Sequence, residues 1–268
     1  MRWYSHSKLW LFESCPEAYK AKYVDKIYPE IPISMSLFLG DLVHRSLEEL
    51  YRNVREGKII EMDDMIRHFA ENWKIEINDK IRIMNGESKD ELLNKGIKFL
   101  MDYYQRHFPF KENTVELEKK IVFPLDESEQ YGITGYIDRL VLNNLGEFEV
   151  HDYKTNTFMK KQEEVDKDRQ LAFYHLGLKE IYGEDVKVKL VWHFLAHDRS
   201  IVSRRDKEQL EQLKRETLKM IKYIEANDFW SACGKRWCDW CAWKKKNDIE
   251  NYNKKSIIVE REDLGKWM

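Results

Sequence analysis

Leu39, Leu42, Val43, Leu47, Leu50 and Tyr51 recur at three- and four-residue spacing, and predict an amphipathic helix over residues 36–56 (SLFLGDLVHRSLEELYRNVRE) with His44 at the edge of its apolar stripe. Ser88 can cap a second helix that runs to about His107, after which Pro109 stops it. The period then changes to two. VELEKKIVFPL, YGITGYIDRLVL and GEFEVHDYK, separated by turn-prone stretches such as NNLG, read as three strands of a meander. A helix is expected around Asp166 to Tyr182, and after it the β-branched run VKVKLVWHFL reads as a central strand. Residues 205–226 form another amphipathic helix, with Leu210, Leu213, Ile221 and Ile224 on its buried side. This order predicts an α/β fold, a central mixed sheet flanked by helices. No internal repeat, low-complexity segment or Pro/Gly-rich linker interrupts it, so one domain is expected over 1–268, with its core at about 36–226.

Composition narrows the function classes. With 35% charged residues, no long apolar run and no basic-then-apolar N-terminus, the chain is expected to be soluble and cytoplasmic, with no membrane partner. A formal net charge of -2 excludes a uniformly basic protein that coats nucleic acid, so any polyanion site must be a local patch. Residues 234–255 offer one, an excess of four positive charges interleaved with Trp237, Trp240 and Trp243. Trp237, Trp240, Lys244 and Lys245 are candidate contacts for single-stranded DNA, whose phosphates attract cations while its bases stack on aromatic rings. The same tryptophans read equally well as a shield for nearby cysteines, and the lysines as a solvated face.

Those cysteines are Cys233, Cys238 and Cys241, spaced C-x4-C-x2-C, with Cys15 far upstream. In a reducing compartment such spacing points to a metal or cluster site rather than to disulfides. A second constellation lies in EVHDYKTN, Glu149 to Asn156. If Phe148 and Val150 face a core, the period of two puts Asp152 and Lys154 on that same face. Asp138 interrupts the preceding apolar strand. On adjacent antiparallel strands two carboxylates can stand about 5 Å apart, near enough to share one divalent cation. Mg²⁺ or Mn²⁺ suits such oxygen ligands, and Lys154 would orient a water or stabilise charge developing on a phosphate. A plain ion pair at a strand end is the alternative for an isolated D-x-K.

Five motifs in order, CPEAYKAKYV, GDLVHRSLEELY, GYIDRL, DYKT and QLAFY, resemble the PD-(D/E)XK nuclease superfamily, in the branch of RecB-type exonuclease domains and CRISPR-associated adaptation exonucleases. The resemblance implies a restriction-endonuclease-like core with a helical N-terminal and a Cys-containing C-terminal addition. It implies His44, Asp138, Asp152 and the backbone carbonyl of Tyr153 as Mg²⁺ or Mn²⁺ ligands, and Lys154 as the catalytic lysine. Gln170 would contact that lysine or the DNA backbone, with Tyr174 beside it. Glu48 or Asp41 could orient His44. Glu116 and Glu118 are expected on a solvated strand face rather than at the metal. The family's iron–sulfur members take one cysteine from the N-terminal motif and three from the C-terminus, so Cys15, Cys233, Cys238 and Cys241 would hold a [4Fe-4S] cluster. The family's usual third C-terminal position is here Asn247, which leaves Zn²⁺ as the alternative and unligated core cysteines as a third reading. The expected activity is a metal-dependent DNA nuclease, an exonuclease on single strands or DNA ends in repair, recombination, phage replication or CRISPR adaptation. A restriction-type endonuclease and a non-catalytic DNA-binding module are the alternatives. A helicase or recombination partner would be a separate protein.

Overall fold

The computed structural model describes residues 1–83, 86–235 and 237–247. The first half of the chain contains β1 (Arg2–Tyr4), α1 (His6–Ser14), α2 (Pro16–Tyr19), β2 (Ile33–Ser34), α3 (Met35–Arg55), α4 (Met62–Glu76), β3 (Ile81–Arg82) and α5 (Lys89–His107). The rest contains β4 (Thr114–Pro124), β5 (Tyr131–Leu142), β6 (Phe148–Lys154), α6 (Gln162–Val165), α7 (Arg169–Tyr182), β7 (Val188–Phe194), β8 (Arg199–Ser203), α8 (Lys207–Glu225) and α9 (Asp239–Lys246). These elements form two compact units. One comprises Ile33–Phe123 and Thr134–Glu211; the other gathers Met1–Pro32, Pro124–Ile133 and the chain from Gln212.

In the first unit the strand order is β4-β5-β6-β7-β8, so the three consecutive strands expected from the sequence are neighbours. β5 and β6 pair antiparallel, with Arg139 opposite His151. β6 and β7 pair parallel, with Asp152 opposite Trp192, and β7 turns back antiparallel into β8. A parallel neighbour requires a crossover, and α7 supplies it. Its close seat on the sheet depends on Gly177, where a Cβ would lie 2.8 Å from Ile121 Cβ. α7 starts at Arg169 rather than at Asp166, because the Asp168 side chain accepts the Gln170 N–H as an N-cap. α5 starts where Ser88 predicts, in a capping box with Glu91.

The apolar stripe of α3 packs with α4 and α5 into one core, in which Leu42, Val43, Leu47, Leu50, Phe69 and Leu100 are almost wholly buried. Tyr153 of β6 belongs to the same core, which ties the middle of the sheet to the helices. In the second unit, Arg2 to Tyr4 pair in parallel with Tyr131 to Ile133. There Cys15, Ala18, Ala21, Cys238 and Trp240 form a separate small core.

Candidate active site

Strand alternation sorts β6 into two faces. Asp152 and Lys154 point toward α7, where Gln170 and Tyr174 stand one turn apart; His151 and Tyr153 point the other way, toward α5. On the first face three side chains close a ring. Lys154 Nζ lies 2.7 Å from Asp152 Oδ2 and donates to Gln170 Oε1 at 2.9 Å, while Gln170 Nε2 donates to Asp152 Oδ1 at 2.9 Å. Gln170 Nε2 is also 3.3 Å from Tyr174 OH.

The peptide of Tyr153 joins the remaining residues. Its N–H donates to Asp138 Oδ2 at 2.9 Å, and its carbonyl accepts from His44 Nε2 at 2.7 Å. His44 Nδ1 faces Asp138 Oδ2 across 3.4 Å. With one ring proton given to the carbonyl, that second contact is attractive only if a proton or metal ion lies there too. The structure therefore brings together His44, Asp138, Asp152, the Tyr153 carbonyl, Lys154, Gln170 and Tyr174. Neither acid considered as the orienting partner of His44 takes that place, since Asp41 pairs with Arg45 at 2.7 Å and Glu48 pairs with Arg52.

This donor set fits a hard divalent cation. Asp152 is 2% exposed, and its Oδ2 meets Lys154 Nζ at 2.7 Å. An oxygen of that kind, near a carboxylate, a carbonyl and an imidazole, matches the ligand chemistry of Mg²⁺ or Mn²⁺. Burial raises the Asp152 carboxyl, Lys154 opposes the shift and Asp138 adds to it. At Lys154 burial alone would lower the amine, but Asp152 and Asp138 outweigh it and hold the group protonated above its ordinary range. Beside these two carboxylates Lys154 favours its ammonium form.

Glu118 belongs to the same field, which the sequence reading did not anticipate. It keeps the solvent contact expected of a strand face, yet the cleft walls crowd its carboxylate and Asp138 and Glu48 repel it, so its pKa is pushed up to about 7. Its φ of 47° breaks the regular alternation of β4 at this residue. The one sequence hint was the recurrence of Asp41, His44 and Glu48 along one face of α3.

Behind β6 lies a buried polar network around Arg139, which is fully enclosed. Its guanidinium donates to Tyr153 OH at 3.0 Å and to Glu112 at 2.7 Å, lies 2.9 Å from His151 Nδ1, and sits 3.9 Å from the ring centre of Tyr51. His151 Nδ1 is in turn 2.8 Å from His193 Nε2. Burial, followed by the charge of Arg139, lowers His151 well below the ordinary imidazole range. The hydroxyl of Tyr153 is anchored on this side while its peptide holds the metal residues on the other.

In the second unit the four cysteine sulfurs converge, all within 4.8 Å of one another. Cys15 Sγ is 3.8 Å and Cys233 Sγ 3.7 Å from Cys241 Sγ. Cys15 precedes Pro16 at the start of α2, and Cys238 is the N-cap residue of α9. Of the four residues considered for DNA contacts, Trp240 is buried in the cysteine core and Lys244 pairs with Glu17. Trp237 is exposed with Lys235 over its ring, and Lys245 is exposed. Arg236, Asp248, Glu250, Lys254 and Lys255 of the basic patch lie outside the described residues.

Comparison with known proteins agrees with this geometry. The model of the PD-(D/E)XK nuclease superfamily matches residues 4–245, and the chain belongs to that superfamily. No curated protein matches the chain. Among solved structures, an exonuclease candidate from Eubacterium rectale superposes with a TM-score of 0.53 at 11% identity, covering 91% of this chain and 88% of that one. At that identity the likeness shows the fold. Membership in a nuclease superfamily implies hydrolysis of nucleic acid with a divalent metal. Among the described residues no helix is long and apolar enough to cross a membrane.

Proposed function

We propose that this chain is a Mg²⁺- or Mn²⁺-dependent deoxyribonuclease that removes nucleotides from single strands or DNA ends, in DNA repair, recombination, phage replication or CRISPR adaptation. The observation that carries the reading is the ring of Lys154, Asp152 and Gln170 set against His44, Asp138 and the Tyr153 carbonyl. His44, Asp138, Asp152 and the Tyr153 carbonyl would hold the metal, which when bound polarises the scissile phosphate and lowers the pKa of a water. Lys154 presents a fixed positive charge to the phosphate as negative charge grows on it. Gln170 holds both Lys154 and Asp152, so the ammonium cannot swing away with the leaving strand.

In this reading the four-cysteine site has a structural role: its sulfurs converge within 4.8 Å of one another, and four thiolates so placed would hold a [4Fe-4S] cluster, with Zn²⁺ as the alternative.

The deciding experiment compares end-labelled linear DNA with covalently closed single-stranded circles, in Mg²⁺ or Mn²⁺ and with excess chelator. Linear DNA should be shortened progressively while circles survive. Circles opened as fast as linear strands are shortened would make the protein an endonuclease on the same core.

A further inference from the structure

A cleft of about 730 Å³ opens in the unit that carries the metal residues. Three groups of residues wall it: the first turns of α3; Arg82 of β3 with Glu87, Leu92 and Lys95; and Thr155 to Thr157 after Lys154. Its size lies in the range of small-ligand sites. The floor is apolar, with Met35, Leu39 and Leu92 buried and Leu37 half exposed beside them. Arg82 and Lys95 contribute positive charge, and Glu87 lies 3.6 Å from Lys95. Ser36, Thr155 and Thr157 contribute hydroxyls. One side therefore attracts an anion and offers hydrogen bonds, while the other covers a flat apolar body.

The cleft shares its two main elements with the metal residues. Thr155 follows Lys154 directly along the chain, and a Cβ at Gly40 would stand 3.1 Å from Thr155 Oγ1, so α3 and the end of β6 meet closely there. One further turn of α3, about 6 Å of rise, leads from Gly40 to His44. A strand whose phosphate lies at His44 and Lys154 has this cleft as its next neighbour. α3 also begins here without an acidic residue in its first turn, which leaves its positive end unopposed.

We propose that this cleft is a subsite for one nucleoside monophosphate unit of the DNA strand, with its phosphate on Arg82 and Lys95 and its base on the apolar floor. The assignment rests on the nuclease reading above and deepens it. The same chemistry would accept a free nucleotide, but contiguity with Lys154 favours a unit of the strand being cut.

The test uses Arg82→Ala and Lys95→Ala with a labelled single-stranded oligonucleotide over a range of NaCl concentrations. Each variant should raise KM about tenfold, with the larger part of the effect in KM rather than kcat. Each should also reduce the slope of log KM against log salt by about 0.7, the signature of one lost phosphate contact on a single strand. Free dAMP should compete weakly with the oligonucleotide on the wild-type protein, and more weakly still on the variants. Unchanged KM and salt slope in folded variants would overturn the subsite. Competition by dAMP at concentrations far below the oligonucleotide KM would transfer the cleft to a free nucleotide and overturn its assignment to the strand. Hydrolysis of bis(p-nitrophenyl) phosphate by the wild type with Mn²⁺ reports the metal residues alone. If it proceeds while the variants handle DNA as the wild type does, only the subsite falls; if neither this ester nor DNA is cleaved, the nuclease reading falls and the subsite with it.

Discussion

Replacing Tyr153 by Phe deletes a single oxygen and should be costly. That oxygen accepts a hydrogen bond from Arg139 Nε at 3.0 Å and lies 3.3 Å from Tyr103 OH. Arg139 is 0% and Tyr153 3% exposed, so no solvent can replace the lost acceptor. A buried charged donor left without a partner costs about 2–3 kcal/mol, which for a unit of this size corresponds to a fall in Tm of roughly 4–10 °C. Urea and thermal unfolding followed by circular dichroism measure it. The double variant Tyr153→Phe/Arg139→Met removes donor and acceptor together and should cost at least about 1 kcal/mol less than the sum of the single variants. A Tyr153→Phe protein within about 0.5 kcal/mol of wild type, the range of a neutral surface change, would refute the claim that Arg139 depends on this phenol.

Lys154→Ala and Asp152→Asn should each lower DNA turnover by roughly two or more orders of magnitude while DNA binding persists; turnover near wild type in either variant would remove β6 from the chemistry. Activity should cease in EDTA and return on adding Mn²⁺, and undiminished cleavage in excess chelator would exclude the metal mechanism. His175 is buried and its pKa is pushed down to about 4, chiefly by burial. An unfolded histidine titrates near 6.5, so its contribution is complete above that pH and is lost as pH falls toward 4, by up to about 3 kcal/mol. His175→Gln should flatten the fall in stability across this window, which unfolding at stepped pH values will show. Cys15→Ser should release the bound metal, read by elemental analysis as about four irons per wild-type chain and little in the variant; colourless wild-type protein with one zinc per chain would overturn the cluster in favour of Zn²⁺.

Much of this arrangement was legible because its parts are local. The helical stripe of α3 set its register, the Ser88–Glu91 pair set the start of α5, and the alternation around Asp152 and Lys154 put them on one face, where the structure has them. What escaped depends on contacts between residues remote in sequence. β8 (RSIVS) is short and polar, and it is a strand because β7 offers it an edge. Glu118 looks like an ordinary surface acid until Asp138 and Glu48 are folded against it. Arg139 looked like part of a motif, and nothing in GYIDRL shows that its guanidinium is wholly enclosed by Tyr51, Tyr153, His151 and Glu112. Trp240 and Lys244 carried a composition typical of nucleic-acid contacts, but the neighbouring cysteines and Glu17 take them up.

The second unit is assembled from three separated stretches of chain, and its cysteines come from the first and the last. Cys15 and Cys241 are 226 residues apart. At synthesis rates of 5–20 residues per second, the first thiol leaves the ribosome roughly 10–45 s before the last. During that interval Cys15 is a solitary thiol, and the segments of the other unit, Ile33–Phe123 and Thr134–Glu211, all emerge before Cys233 does. The unit that bears the metal residues can thus begin folding during translation before the cysteine site can close, because that site must wait for Cys233, Cys238 and Cys241. A ribosome stalled before codon 233 would carry a nascent chain with one free cysteine and no means of closing the site, and labelling that thiol on such stalled chains would follow the order of assembly directly.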